Sequence, residues 1–136
     1  MLDKVWKQKI PADAILVSSA YHMRYLSGFR GGEGYLFLRP ESQRALVDSR
    51  YTTQVKEEAP HFEMIEVGGE RGFGDVLAEL IRKTGTKRLL FEDQHLTYAD
   101  VMKLQEKCAD TEWIPAGDML DRVRMVKTKE ELSRIE

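Results

Sequence analysis

Short apolar runs alternate with amphipathic stretches along this chain of 136 residues. Residues 14–17 form a continuous apolar run, which is typical of a strand covered on both faces. Similar or alternating runs predict further strands at residues 35–38, 45–47, 62–67, 88–91 and 113–114. Apolar residues spaced three or four apart predict helices at residues 2–9, 19–27, 51–59, 76–81 and 97–108.

The order of these elements indicates an α/β fold. Pro40 and the polar residues around it suit a hairpin connection, so the strands at 35–38 and 45–47 should pair antiparallel. The later strands alternate with helices of about ten residues, which is the pattern of a sheet covered by helices on both sides. We therefore expect one mixed β-sheet with helices on both faces.

A capping box near the end of the chain predicts one more helix. Thr128 can accept a hydrogen bond from a backbone N–H, and Glu131 can reach back to the cap. Leu132 and Ile135 then begin an apolar stripe that meets no stop signal before the last residue. We expect residues 1–124 to form one domain and residues 125–136 to be the linker and first turns of a further, C-terminal domain.

Composition and charge argue against several kinds of partner. Lys and Arg total 21 against 23 Asp and Glu, a formal net charge of -2, and the two signs are interspersed. Such a chain has no single-sign field for nucleic acid or an anionic membrane, and no apolar run approaches the roughly 20 residues that span a bilayer. Cys108, the single cysteine, cannot form an internal disulfide and shares a helix face with apolar residues, as a buried side chain would. We expect a cytoplasmic protein that binds neither nucleic acid nor membranes.

Two glycine-rich segments do not have the context of a nucleotide site. Residues 28–34 lie between a helix, which Gly28 is placed to end, and a strand, whereas a dinucleotide fingerprint lies between a strand and a helix. Residues 69–74 do lie between a strand and a helix, but Asp75 follows where a phosphate-binding loop has lysine. An aspartate at a helix N-terminus would repel phosphate, so a capped loop is predicted instead.

No metal site or nucleophile stands out. The histidines His22, His61 and His95 are isolated, whereas zinc and manganese sites take several converging ligands. His61 and His95 are interpreted as exposed loop residues, and His22, in the short helix before the glycine loop, is a candidate to line a cleft. Ser19 follows the first strand without the flanking glycines of a nucleophile elbow and is interpreted as a helix cap.

The segment around Asp48 has two interpretations. An aspartate at a strand end, with Arg50 two residues on, stands where α/β folds place functional groups. Alternatively, Asp48 caps the following helix and pairs with Arg50, which is the interpretation we favour. In either case the residues of this chain do not specify a self-contained catalytic site.

Five segments, in this order, resemble the N-terminal domain of the creatinase, prolidase and aminopeptidase P family of metallopeptidases. They are residues 13–17, 23–29, 31–36, 48–55 and 121–132, and they include Gly28 and the motif Asp48-Ser49-Arg50-Tyr51. The resemblance implies the ribonuclease H-like mixed sheet of that domain, in agreement with the pattern above. It also implies that the last segment is the linker into a catalytic domain of pita-bread fold.

The resemblance implies that the parent protein is a Xaa-Pro peptidase, either a prolidase or an aminopeptidase P. In that family two metal ions, commonly manganese, are held by two aspartates, a histidine and two glutamates of the catalytic domain, and activate a water that cleaves the bond before proline. Those ligands lie outside the regions that this chain covers. This segment alone is therefore expected to be inactive and to contain no metal site or catalytic residue.

The resemblance also implies a homodimer in which residues 28–34 reach toward the active site of the neighbouring subunit. Phe29, Arg30, Glu33 and His22 are then the candidates to contact a proline-containing peptide, and Arg30 and Glu33 are the charged groups of the loop. His22 stands where the family more often has asparagine. No residue separates a prolidase or aminopeptidase P from a creatinase-type hydrolase, or from a non-enzymatic binding protein of the same fold.

Overall fold

Six strands form one mixed sheet in the computed structural model, which describes residue 6 and residues 12–31, 33–108 and 110–122. β2 is antiparallel to both β1 and β3, while β1 and β5, β3 and β4, and β5 and β6 are parallel pairs, in the order β4-β3-β2-β1-β5-β6. The predicted mixed α/β fold is confirmed. The strands are β1 (Ala14–Val17), β2 (Tyr35–Arg39), β3 (Ser42–Asp48), β4 (Glu63–Val67), β5 (Arg88–Phe91) and β6 (Glu112–Pro115).

The predicted hairpin joins β2 and β3, and it is tighter than the sequence indicated. Arg39 pairs with Ser42, so Pro40 and Glu41 alone form the turn. Residues 42–44 had been assigned to the connection because they are polar. They extend β3 instead, because their backbone groups pair with β2.

Helices cover both faces of the sheet, as predicted. Successive residues of β1 point to opposite faces, and Ile15 and Val17 pack in one apolar cluster with α1, α2 and the final turn. Ala14 and Leu16 pack in a second cluster with α3 and α4, so β1 is fully buried. The helices are α1 (Ala20–Ser27), a 3-10 turn (Ser49–Tyr51), α2 (Thr52–Glu58), α3 (Phe73–Thr84), α4 (Tyr98–Lys107) and a final helical turn at residues 119–122.

The ends of α1 follow the predicted caps. Ser19 accepts a hydrogen bond from the backbone N–H of His22 at the start of α1, and Gly28 ends α1 in the left-handed region with φ of 89°. Thr97 caps α4 in the same way as Ser19 caps α1. Gly85 ends α3 with φ of 69°. These residues determine where each loop leaves the helical layers.

Some predictions lie outside the described residues. These are the capping box at Thr128, the apolar stripe at Leu132 and Ile135, and the domain boundary between residues 124 and 125. Of the predicted helix at residues 2–9, the structure describes Trp6, which is helical and packs against the cluster that contains α1. Within the described ranges, no helix is long and apolar enough to cross a membrane.

Candidate functional site

One edge of the sheet collects polar residues from the ends of the strands. β1, β3, β4, β5 and β6 end at this edge and β2 begins there, so it carries Ser18, Glu33, Asp48 and Glu92. At its centre β1 and β5 are parallel neighbours. In the strand order, the strand that follows β1 in the chain, β2, lies on one side of this pair, and the strand that follows β5, β6, lies on the other. Open α/β sheets bind ligands at such a switch point. The centre of this edge is therefore the first candidate site.

Glu92 follows β5 and is the buried carboxylate of this edge, with 6% of its surface exposed. Its Oε1 accepts hydrogen bonds from the backbone N–H groups of Ser18 at 2.8 Å and Ser19 at 2.9 Å. Its Oε2 lies 2.7 Å from Nδ1 of His22, in the first turn of α1. The carboxylate thus satisfies backbone donors at the N-terminus of α1 and joins β5 to the segment that follows β1.

His22 bridges two carboxylates. Its Nδ1 faces Glu92, and its Nε2 lies 3.0 Å from Oδ1 of Asp121 in the final turn. Ser19 positions the ring by capping α1, and its Oγ lies 3.0 Å from Nδ1. An imidazole can donate to both carboxylates at once only when both ring nitrogens carry protons, so this geometry favours the imidazolium.

The electrostatics of the His22–Glu92 pair agree with its geometry. The hydrogen bond with Glu92 raises the pKa of His22 and outweighs burial, which acts in the opposite direction. Burial alone would raise the pKa of Glu92, but the hydrogen bonds from His22, Ser19 and Ser18 together lower it. Both shifts favour the charged pair.

The stabilising contribution of this pair is expected to be greatest between about pH 4.3 and about pH 6.5. The pKa of His22 is raised on folding, so its contribution is complete below the unfolded pKa of about 6.5 and is lost as the pH rises through the folded pKa. The pKa of Glu92 is lowered on folding, so its contribution is lost as the pH falls through the folded pKa.

Urea unfolding of the 136-residue chain measures the free energy of unfolding as a function of pH. His22→Asn should flatten the loss of this free energy on the alkaline side of the pH range, whereas His61→Asn, which changes an exposed histidine, should not. An equally steep alkaline loss in both variants would contradict the assignment to His22.

His95 is exposed, as predicted, yet it contacts the same cluster through Ser18, whose Oγ lies 3.0 Å from Nδ1 of His95. Among the residues that the structure describes, no group of three or more His, Cys, Asp or Glu side chains is arranged to hold a metal ion. Cys108 is buried, as predicted, and burial raises the pKa of its thiol. The polar groups of the cluster bind one another and the backbone.

The sequence analysis missed Glu92, and it included Asp121 only as part of the linker segment. Glu92 directly follows the apolar run at residues 88–91, and an acidic residue at the end of a buried strand is a signal that could have been used. Its partner could not be found in this way. His22 is 70 residues distant in sequence and meets Glu92 only because β1 and β5 become neighbours.

Phe29 anchors the loop that follows α1. It is 1% exposed, and its ring packs edge-on against Tyr51 with 5.9 Å between ring centroids. The ring occupies the space that a Cβ at position 31 would need, which explains why Gly31 follows so closely. The backbone N–H of Arg30 donates to Oε1 of Glu58 at 2.7 Å, while the residue itself is exposed. Phe29 therefore belongs to the core of this chain, and the side chain of Arg30 lies at its surface.

Asp48, Arg50 and Glu33 form an exposed charged cluster at the sheet edge. Asp48 caps the 3-10 turn by accepting from the backbone N–H of Arg50 at 2.9 Å, and it binds the guanidinium at 2.7 Å. Asp48 thus makes both contacts of the structural interpretation, the cap and the pair with Arg50, and the hydrogen bond from Arg50 lowers the pKa of the Asp48 carboxyl. Arg50 also binds Glu33 at 2.9 Å and lies over the ring of Tyr51, 5.3 Å from its centroid.

The four candidate substrate contacts are not brought together in this chain. His22 lies in the first turn of α1 and Arg30 beyond its end, so about 10 Å of helix lies between them. Phe29 is buried, and Glu33 is engaged by Arg50. Within the described part of the chain, the guanidinium of Arg30 forms no ion pair.

Residues 69–74 form a capped loop, as predicted. The backbone N–H of Gly72 donates to Asp75 at 3.1 Å, and the same carboxylate binds Lys107 at 2.7 Å. Asp75 therefore occupies the N-terminus of α3, the position at which a phosphate would otherwise bind.

A family model and a curated relative match most of this chain. The family described as the creatinase/prolidase N-terminal domain matches residues 4–126. The uncharacterized peptidase YqhT of Bacillus subtilis (strain 168) is 31% identical over 124 residues, which is 91% of this chain and 35% of that protein. The chain thus spans about a third of the length of this curated relative.

Solved structures share the fold. The X-Pro aminopeptidase from Thermotoga maritima MSB8 is 27% identical, with a TM-score of 0.79 over 85% of this chain and 34% of that one. The N-terminal domain of the cytoplasmic peptidase PepQ from Mycobacterium tuberculosis H37Rv is 30% identical, with a TM-score of 0.80 over 89% of this chain and 95% of that one. These matches confirm the resemblance on which the sequence analysis relied.

Proposed function

This chain belongs to the creatinase/prolidase N-terminal domain family, and we propose that it is the non-catalytic N-terminal domain of a Xaa-Pro peptidase, a prolidase or an aminopeptidase P. One similar structure is an X-Pro aminopeptidase, and both it and the curated relative extend well beyond the part that this chain matches. The catalytic chemistry, including the pair of metal ions that such a peptidase uses, commonly manganese, would then belong to the C-terminal domain of the parent protein.

In this proposal the loop after α1 serves a homodimer by presenting Arg30 to the active site of the partner subunit. The observation that carries it is the contrast between the two charged residues of the loop. Glu33 is held by Arg50, whereas the guanidinium of Arg30 forms no ion pair within the described residues. The backbone of Arg30 is nevertheless fixed, by Glu58 and by its neighbour Phe29. A fixed backbone with an exposed guanidinium suits two-pronged binding of a peptide carboxylate.

In the full-length parent protein, Arg30→Ala is expected to raise the KM for a proline-containing peptide by about tenfold to a hundredfold. This is the effect of losing a charged hydrogen bond of roughly 1.5–3 kcal/mol. The kcat, the metal content and the Tm should change little, because exposed substitutions usually shift stability by less than about 0.5 kcal/mol. Arg24→Ala, which removes an exposed arginine from α1, is the matched control. The same KM in both variants would contradict the proposal.

The isolated 136-residue chain is expected to hydrolyse no Xaa-Pro dipeptide or longer peptide, with or without added manganese. Among its described residues no set of ligands converges on a metal position, and a metallopeptidase needs such a set to activate water. An assay of the purified chain with and without metal measures this. Metal-dependent turnover that survives removal of contaminating peptidases would overturn the assignment of catalysis to another domain.

We also propose that the parent protein acts in the cytoplasm and binds no nucleic acid. The similar PepQ protein is named a cytoplasmic peptidase, and the charges of this chain are balanced, with 21 Lys and Arg against 23 Asp and Glu. The partners of this domain would be its own catalytic domain, a second subunit and a proline-containing peptide.

A further inference from the structure

The loop that follows α1 contacts α2 and the residue before it at three successive positions. A Cβ at Gly28 would lie 2.7 Å from the carbonyl oxygen of Glu58, the last residue of α2, so the two backbones approach closely. The ring of Phe29 packs against Tyr51, which precedes α2. The backbone N–H of Arg30 donates to Oε1 of Glu58 at 2.7 Å. The position of this loop therefore depends on α2.

Glu58 meets the loop through both its backbone and its side chain, and its carboxylate is itself oriented. Oε1 also accepts a hydrogen bond from Nε2 of Gln54, one turn earlier in α2, at 3.1 Å. Glu58 is partly buried, whereas the neighbouring Glu57 is exposed, so water competes less for the carboxylate of Glu58. A hydrogen bond from a backbone N–H to a carboxylate is also stronger than one between neutral groups.

This hydrogen bond acts on the residue of the loop whose guanidinium is exposed. The two residues after Arg30 are glycines, which restrict the backbone little. The ion pair between Arg50 and Glu33 holds the loop three residues further on. The contact that fixes the backbone at Arg30 itself is the one with Glu58, and the side chain of Arg30 extends from this point.

We propose that Glu58 is a positioning residue for Arg30. This inference rests on the proposed function, in which Arg30 binds the peptide. Glu58 does not touch the peptide, and its carboxylate holds the backbone from which the guanidinium extends. Without this hydrogen bond, a smaller fraction of the molecules has Arg30 in the binding position, and the apparent KM rises by the inverse of that fraction. The kcat stays the same, because the reacting groups belong to another domain of the parent protein.

NMR of the isotopically labelled 136-residue chain tests the hydrogen bond without any peptidase activity. In Glu58→Ala the amide of Arg30 loses its acceptor and should exchange with water about tenfold faster. Glu58→Gln keeps an acceptor oxygen and should retain most of the protection. The amide of Gly28, which donates to the carbonyl of Arg24 at 2.8 Å, should exchange equally in the wild type and both variants. Unchanged exchange at Arg30 in Glu58→Ala would overturn the positioning role.

Kinetics of the full-length parent protein test what the hydrogen bond contributes. Glu58→Ala should raise the KM for a proline-containing peptide about threefold to tenfold, with kcat and Tm nearly unchanged. Glu58→Gln should keep the KM within about twofold of the wild-type value, because its amide oxygen still accepts the N–H. Glu57→Ala, which removes the neighbouring exposed glutamate, is the matched control. An equal rise in KM for Glu58→Ala and Glu58→Gln would overturn the positioning role, because it would assign the effect to charge.

The double variant separates positioning from a general loss of structure. If Glu58 acts through Arg30, adding Glu58→Ala to Arg30→Ala should raise the KM no further. A further rise would overturn the positioning role, since that effect would not pass through Arg30. Failure of the proposed function gives a different result, in which Arg30→Ala alone leaves the KM unchanged. If Arg30→Ala raises the KM and Glu58→Ala does not, the proposed function stands and the positioning role is wrong.

Discussion

Replacing Glu92 with alanine is expected to lower the free energy of unfolding of this chain by about 3–5 kcal/mol, the cost of removing one partner from a buried charge pair. The backbone N–H groups of Ser18 and Ser19 would lose their acceptor where water has little access. The imidazolium of His22 would lose its nearer carboxylate, at 2.7 Å. The effect is large because one side chain holds together the segment after β1, the start of α1 and the end of β5.

Two other variants separate the causes of this loss. Glu92→Gln keeps an acceptor for the backbone N–H groups and removes the charge, so it should cost less than the alanine variant. Glu57→Ala, at an exposed glutamate of α2, should change stability by less than about 0.5 kcal/mol. Urea unfolding at about pH 6 compares the three variants under the conditions where the pair is charged. If Glu92→Ala proved as stable as Glu57→Ala, the cluster would not hold the fold together.

The second large effect is expected from Gly28→Ala, which should lower the free energy of unfolding by about 2–4 kcal/mol. Gly28 has φ of 89°, in the region that costs other residues roughly 1–2 kcal/mol. In addition, a Cβ at this position would lie 2.7 Å from the carbonyl oxygen of Glu58. Because that oxygen belongs to the backbone at the end of α2, it cannot turn away as a flexible side chain would.

Gly85 provides a matched control for this substitution. It also ends a helix in the left-handed region, with φ of 69°, but a Cβ there would meet nothing within 4 Å. Gly85→Ala should therefore show the conformational cost alone, roughly 1–2 kcal/mol. Urea unfolding of the two variants gives the difference, and equal losses would mean that the approach of Glu58 places no constraint on Gly28.

The sheet could be predicted because each strand carries its signal locally. The run at residues 14–17 indicated a strand buried on both faces, and β1 lies at the centre of the sheet under two helical layers. Ser19 and Gly28 marked the ends of α1 through the backbone groups and φ angle that a helix end requires. The hairpin turn was placed correctly at Pro40, but composition could not reveal that polar residues beside it complete the ladder.

The polar cluster could not be predicted in the same way, because its members meet through topology. His22 is separated by 70 residues from Glu92 and by 99 from Asp121. Apolar periodicity predicts that β1 and β5 exist, but it does not indicate that they are parallel neighbours. His22 was singled out for its place before the glycine loop, whereas its contacts lie at the opposite end of α1.

The loop after α1 shows a different limit of sequence reasoning. An aromatic residue beside several glycines suits either an exposed contact or a buried anchor. In the structure Phe29 is buried. Similarly, the sequence did not distinguish the two charged residues of the loop. In the structure Arg50 forms an ion pair with Glu33, whereas Arg30 is exposed and its guanidinium forms no ion pair with the described residues. The roles of His22, Phe29, Arg30 and Glu33 toward a substrate stay predictions.

Mixed dimers of the full-length parent protein test most directly whether this domain serves the active site of its partner subunit. One subunit carries Arg30→Ala and an intact catalytic domain, and the other keeps Arg30 but lacks the metal ligands of its catalytic domain. If Arg30 acts across the dimer, the intact catalytic site faces a wild-type loop, and its KM for a proline-containing peptide should return to the wild-type value. A KM as high as that of the Arg30→Ala homodimer would contradict a shared site.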